Sequence, residues 1–104
     1  MQHSIAIDAM GGDRGIKVTV PASIEILKQF PEIKIILVGD EGAIKKSLSK
    51  LKISNHPRIN IVNTTEFVEM DESPQSALKN KKNSSMRLAI NLLKENKASA
   101  CVSA

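Results

Sequence analysis

The sequence predicts an α/β fold, a parallel sheet with helices on both faces, and two observations carry that prediction. Short apolar runs of strand length (IAI at 5–7, IKIILV at 33–38, RINIVN at 58–63) alternate with stretches whose apolar residues recur three and four positions apart. Glycines follow the first two runs closely, at Gly11, Gly12 and Gly39, where a strand hands over to the next segment. Strands alternating with helices at this spacing favour right-handed βαβ units.

Taken in order, the first strand is expected over Ser4 to Asp8, where Ile5, Ala6 and Ile7 form a run suited to burial on both faces of a parallel sheet. A turn follows at Gly11 and Gly12. Between Ile16 and Phe30, the residues Ile24, Leu27 and Phe30 recur at helical spacing. Pro21 lacks an amide hydrogen and should either begin the regular helix or kink it, and Pro31 closes the segment. Ile33 to Val38 is the clearest strand. Gly39 and Asp40 end it, and Ile44, Leu48 and Leu51, at i, i+4 and i+7, predict the next helix.

A third strand is expected over Arg58 to Asn63, followed by a polar connection in which Val68 and Met70 mark a short further strand. Ser73 and Pro74 read as an N-cap and first helical residue. A helix should then begin at Ser84 and Ser85, bury Met86, Ala89 or Ile90, and Leu93 on one stripe, and stop near Asn96. Ala98 to Ala104 is small and apolar like a central strand and ends without turn, cap or polar tail, the pattern of the first part of a longer polypeptide or of a cleavage product.

With 104 residues, 41% hydrophobic and 25% charged, the chain suits one globular unit. Its aromatics are two Phe, too few for base-stacking platforms, so nucleic-acid binding is not expected. Fifteen Lys and Arg against 11 Asp and Glu leave a net charge of +4, scattered except at Lys79, Lys81 and Lys82, which favours anionic small ligands or acidic protein partners. One cysteine cannot form an internal disulfide, and the N-terminus lacks the charged and apolar regions of a signal peptide, so a cytoplasmic protein is expected. No apolar run approaches the ~20 residues of a spanning helix.

In an open α/β sheet, ligands bind beyond the carboxyl ends of the strands, where loops lead into helices with unpaired amides. Three places qualify: residues 8–13, residues 39–42, and whatever follows Ala104. In DAMGGD, Gly11 and Gly12 permit close approach of a ligand to the backbone, while Asp8 and Asp13 suit capping, orienting or binding hydroxyl and amide groups, since two carboxylates repel phosphate. The same residues also suit a plain turn. In KKNSSM, Lys82 supplies charge, Ser84 and Ser85 supply hydroxyls, and the helix start supplies amides, an oxyanion cradle whose plainer alternative is a Ser N-cap after a solvated lysine pair.

The patterns GxxxxGK[ST] and GxGxxG are absent, which removes the usual grounds for ATP or dinucleotide binding, and no cofactor is expected. Cys101 lies in an apolar run and reads as a buried inert thiol, and His3 and His56 stand alone, so no metal site is expected.

Together, IAIDAMGGD, IILVGDE and MDESPQSALKNKKNSSMRLAINLLKENKASACVSA closely resemble the N-terminal part of the bacterial phosphate acyltransferase family of phospholipid synthesis (PlsX), over essentially the whole chain. The resemblance implies a three-layer Rossmann-like fold similar to isocitrate and isopropylmalate dehydrogenases, of which residues 1–104 would be an N-terminal part. It implies transfer of a fatty acyl group from acyl carrier protein to inorganic phosphate, with the acyl phosphate passing to the membrane glycerol-3-phosphate acyltransferase. It also implies a homodimer and peripheral membrane association. In that family the DAMGGD loop lines the cleft beside the KKNSSM helix, so Asp8, Gly11, Gly12 and Asp13 would seat the thioester or phosphate, and Lys82, Ser84 and Ser85 would cradle the phosphate. Asn80 interrupts a stretch usually more basic, and Arg14-Gly15 stands where the family commonly has a proline soon after. The alternatives are a phosphate acetyltransferase or decarboxylating dehydrogenase on a related fold, or a non-catalytic anion-binding α/β module.

Overall fold

A computed structural model of the chain describes residues 3–11, 15–53, 55–66, 73, 75 and 83–102. Its elements are β1 (His3–Asp8), α1 (Ile16–Gln29), β2 (Ile33–Gly39), α2 (Glu41–Lys50), β3 (Ile59–Asn63), α3 (Ser85–Lys94) and β4 (Ala100–Val102). The four strands form one sheet in the order β3-β2-β1-β4, and every neighbouring pair is parallel. Ile5 is flanked by Ile35 on one side and Ala100 on the other, and Ile35 pairs in turn with Ile59.

Alternation along the strands divides the core in two. Ile7, Ile35 and Leu37 meet Val20, Ile24 and Leu27 of α1 and Ile44 and Leu48 of α2. Ala6, Ile36 and Val38 point the other way and meet Ala89, with Leu88 and Leu92 of α3 packed alongside. The layers are therefore helices, sheet, helix, the three-layer α/β arrangement expected. Each side chain as fully buried as Ile35 or Leu37 contributes about 1.5–3 kcal/mol relative to exposure. The α3 face is lined by alanines at 6, 89 and 98, so that helix lies close to the sheet but gains little apolar area from those contacts.

Four local expectations are corrected. Helix α1 begins at Ile16, so Pro21 lies inside it, and Phe30 is its exposed C-cap residue and not part of the buried stripe. Leu51 is likewise an exposed C-cap; Lys52 adopts φ 62°, and Ile53 folds back, its amide bonding the Leu48 carbonyl at 2.9 Å. On α3, Leu93 is exposed, and Leu88, Ala89 and Leu92 face the sheet instead. Its end repeats the α2 design: Asn96 takes φ 60°, and the Lys97 amide bonds the Leu92 carbonyl at 2.9 Å. Finally, β4 starts at Ala100, Ala98 being buried just before it. The strand expected at Val68 and Met70 and the helix start at Pro74 lie outside the described residues.

Arg58 ties the carboxyl end of α1 to the starts of β2 and β3. Its guanidinium donates to the carbonyls of Leu27, Phe30 and Ile33 at 2.8–3.1 Å, closing the carboxyl end of α1. Its amide donates to His56 Nδ1 at 3.1 Å, so His56 is held as an acceptor in that turn. Among the described residues no helix is long and apolar enough to cross a membrane.

Candidate functional site

The strand order places the site. The chain moves from β1 outward to β2 and β3, then crosses back to lay β4 on the other side of β1. Helices α1 and α2 cover one face and α3 the other, so the order reverses at β1, and the carboxyl ends of β1 and β4 are where a sheet of this kind places a ligand.

Residues Asp8 and Gly11 stand at that edge. Asp8 ends β1 on the strand face shared with Ala6, the face covered by α3, and is only 2% exposed. Its Oδ1 accepts the Met10 amide at 3.1 Å, and its carbonyl accepts the Gly11 amide at 3.3 Å, so both ends of Asp8 shape the loop. The Met10 side chain then lies over Gly39: a Cβ at that glycine would stand 2.9 Å from both Met10 Cγ and Sδ. Further along, Gly15 is the N-cap of α1 with φ 50°, a conformation that favours glycine, and among the described residues no side chain caps the helix. Thr19 Oγ1 donates to the Ala9 carbonyl at 2.7 Å, tying α1 back to the loop.

The start of α3 lies at the same edge, because that helix runs antiparallel to the strand it precedes. Ser84 is its N-cap; its Oγ accepts the Arg87 amide at 3.1 Å, and its carbonyl accepts the Leu88 amide at 2.9 Å. The Ser85 amide donates to the Glu66 carbonyl at 2.8 Å. Among the described residues, the Met86 amide is the first-turn donor without a partner. Ser85 is 0% exposed, and its Oγ has no hydrogen-bond partner among the described residues. Buried hydroxyls are nearly always paired, so an orphan hydroxyl beside an open amide is an exception that calls for an explanation.

Of the seven candidate residues, Asp8 is thus placed at the end of β1, Gly11 in the loop after it, and Ser84 and Ser85 at the start of α3, on one edge of the sheet. Gly12, Asp13 and Lys82 lie outside the described residues. Residues 39–42 do not form a comparable opening. Asp40 Oδ1 accepts the amides of Gly42 and Ala43 at 3.1 and 3.4 Å, and Asn63 Oδ1 accepts that of Glu41 at 2.9 Å. Side chains already occupy those donors.

Sequence reasoning missed Thr64, Gly15 and Met10, each of which holds part of this edge in place. In the sequence Thr64 belongs only to a polar connection; a Thr directly after a strand is the weak signal it offers. Grooves of about 330 and 350 Å³ lie on the side of α1 and α2, lined by residues such as Leu48, Ile53 and His56 or Ile24, Lys28 and Leu51, and among the described residues neither is lined by a candidate. Among the described residues no three His, Cys, Asp or Glu side chains come together to hold a metal.

The sequence profile of a family described as fatty acid synthesis protein matches residues 3–104. The chain is 56% identical over its full 104 residues to a phosphate acyltransferase of Chromobacterium violaceum, covering 30% of that protein. It is 52% identical, again over its full length, to one of Hydrogenovibrio crunogenus, covering 31% of it. A phosphate acyltransferase of Legionella pneumophila is 52% identical over 101 residues, 97% of the chain and 30% of the relative. The chain therefore spans about 30% of the length of these curated relatives. A profile match from residue 3 to residue 104, joined by identities above half over the whole chain, places this chain in the fatty acid synthesis protein family.

Proposed function

We propose that the polypeptide containing this chain is an acyltransferase that moves a fatty acyl group from acyl carrier protein to inorganic phosphate, giving acyl phosphate for phospholipid synthesis. The observation that carries the reading is the full-length identity, 56% and 52%, to proteins named phosphate acyltransferase. The geometry agrees with it, because the unpaired Ser85 hydroxyl and Met86 amide suit the oxygens of a tetrahedral anion.

In this reading phosphate sits at the start of α3. Ser85 Oγ and the Met86 amide donate to its oxygens, Ser84 retains a hydroxyl hydrogen to donate while its oxygen caps the helix, and Lys82 supplies charge. Asp8, Gly11, Gly12 and Asp13 shape the loop that seats the thioester. A phosphate oxygen attacks the thioester carbonyl carbon; the new C–O bond forms, the C–S bond breaks, and the pantetheine thiolate leaves and takes a proton from solvent. A substantial share of inorganic phosphate is already dianionic at neutral pH, so the step needs no general base. Catalysis is then positioning and charge stabilisation, each donor in a dry site being worth about 3 kcal/mol. On the strength of the resemblance, the same reading includes a homodimer, peripheral membrane attachment and a membrane glycerol-3-phosphate acyltransferase as the consumer of the product.

The test incubates the full-length protein with palmitoyl acyl carrier protein and inorganic phosphate and traps acyl phosphate with hydroxylamine. Phosphate-dependent product that collapses in Lys82→Ala and Ser85→Ala supports both activity and cradle. Product surviving both substitutions keeps the activity and removes the cradle. Turnover of acetyl-CoA alone, or nicotinamide reduction, replaces the reading with another enzyme of related fold; phosphate binding without turnover leaves an anion-binding module. A trapped covalent acyl-enzyme defeats the direct attack.

A further inference from the structure

We infer that Thr64 is a positioning residue for the anion cradle, fixing the first turn of α3 against the end of β2; the inference rests on the reading of that turn as the phosphate site. Thr64 lies just beyond β3 and is 8% exposed, although it is polar. Both its amide and its hydroxyl tie neighbouring segments together. Its amide donates to the Gly39 carbonyl at 2.9 Å, its Oγ1 donates to the Asn83 carbonyl, and the same Oγ1 accepts the Glu66 amide at 3.2 Å. Glu66 in turn accepts the Ser85 amide at 2.8 Å and forms a parallel bridge with Ser84. Residues 64, 66, 85, 84 and 83 thus close a ring whose junction is a single hydroxyl.

The ring matters because the rest of α3 cannot set its first turn. The apolar contacts of α3 with the sheet run through Leu88, Ala89 and Leu92, three or more residues past Ser85, and the alanines facing them give little grip against sliding or fraying at the start. Gly39, the outer anchor of the ring, also carries the Met10 side chain from the loop after β1. Thr64 therefore references both sides of the candidate site to the same point on β2. Loss of its hydroxyl leaves the helix body seated while Ser85 and Met86 lose their fixed place, and small displacements of positioning groups have large kinetic consequences.

The experiment compares full-length wild type, Thr64→Val and Thr64→Ser. Val keeps the shape and removes both side-chain bonds; Ser keeps the hydroxyl and removes the methyl. The inference expects Thr64→Val to raise the KM for inorganic phosphate about tenfold with the KM for the acyl donor unchanged, and Thr64→Ser to restore it. In parallel, backbone hydrogen exchange of peptides covering residues 83–88 should quicken in Thr64→Val and remain slow in wild type and Thr64→Ser. An unchanged phosphate KM with unchanged exchange overturns the inference, as does equal impairment of the Val and Ser variants. If the wild type does not turn over phosphate, the reading of the activity fails, and the exchange comparison alone still decides the positioning claim. If Thr64→Val does not fold, fast exchange at residues 83–88 in the wild type overturns the claim, and slow exchange there that quickens in Thr64→Ala supports it.

Discussion

Adjacent serines at the start of α3 should respond to alanine substitution with opposite signs. Ser84 Oγ accepts the Arg87 amide as an N-cap, so Ser84→Ala removes a bond that typically stabilises a helix by about 1 kcal/mol. Ser85 is equally buried, but its Oγ has no partner among the described residues. An unpaired buried hydroxyl costs about 1–3 kcal/mol, and Ala at a helical position gains about 0.5 kcal/mol over Ser. Removing the oxygen also forgoes its dispersion attraction to the atoms around it, which offsets part of that gain. On balance Ser85→Ala should stabilise the unliganded protein by about 1 kcal/mol. The two variants then differ by about 2 kcal/mol, a large share of ordinary domain stability. Urea denaturation of the full-length protein in phosphate-free buffer, with midpoints compared at constant slope, measures this directly. Added phosphate should stabilise the wild type by mass action and Ser85→Ala much less. A Ser85→Ala protein destabilised as much as Ser84→Ala would refute the reasoning, because it would show that the Ser85 hydroxyl is a structural group.

Other sites give sharper local tests. Gly39→Ala places a Cβ 2.9 Å from Met10 Cγ and Sδ and 3.4 Å from Ile44 Cδ1, and should cost about 1–3 kcal/mol in urea midpoints, with Met10→Ala in the same protein recovering most of the loss. Lys52→Gly should stabilise by about 1 kcal/mol in the same assay, since Lys52 holds φ 62° at the end of α2 while glycine adopts that conformation without the steric penalty. Arg58→Lys should destabilise by about 1–2 kcal/mol, because a single ammonium cannot reproduce the fork that reaches the carbonyls of Leu27, Phe30 and Ile33.

The first two strands were legible because each is a compact, largely apolar run: Ile5 to Ile7 and Ile33 to Val38 have little alternative to burial on both faces. Helix stripes were less so. Leu88, Ala89, Ile90, Leu92 and Leu93 fit two overlapping stripes, and only contact with Ala6, Ile36 and Val38 selects the one containing Leu88 and Leu92. Leu51 has the right spacing for α2 but falls one residue past its end, where Lys52 turns the chain and Ile53 packs against the core instead. Pro21 is tolerated early in α1, where the carbonyl it leaves unpaired belongs to exposed Lys17. At the site, the serine pair announced a helix start, yet which serine caps and which stays unpaired depends on Glu66 and Arg87. Thr64 was invisible for a stronger reason: its hydroxyl partner Asn83 lies 19 residues away, and no local pattern encodes that bond.

The central claim is that an anion binds at the start of α3 and takes the Ser85 hydroxyl and the Met86 amide as donors. A crystal structure of the full-length protein with bound phosphate tests it most directly. The account predicts a phosphate oxygen within hydrogen-bond distance of Ser85 Oγ and the Met86 amide; phosphate bound elsewhere, with the Ser85 hydroxyl still unpaired, would contradict it.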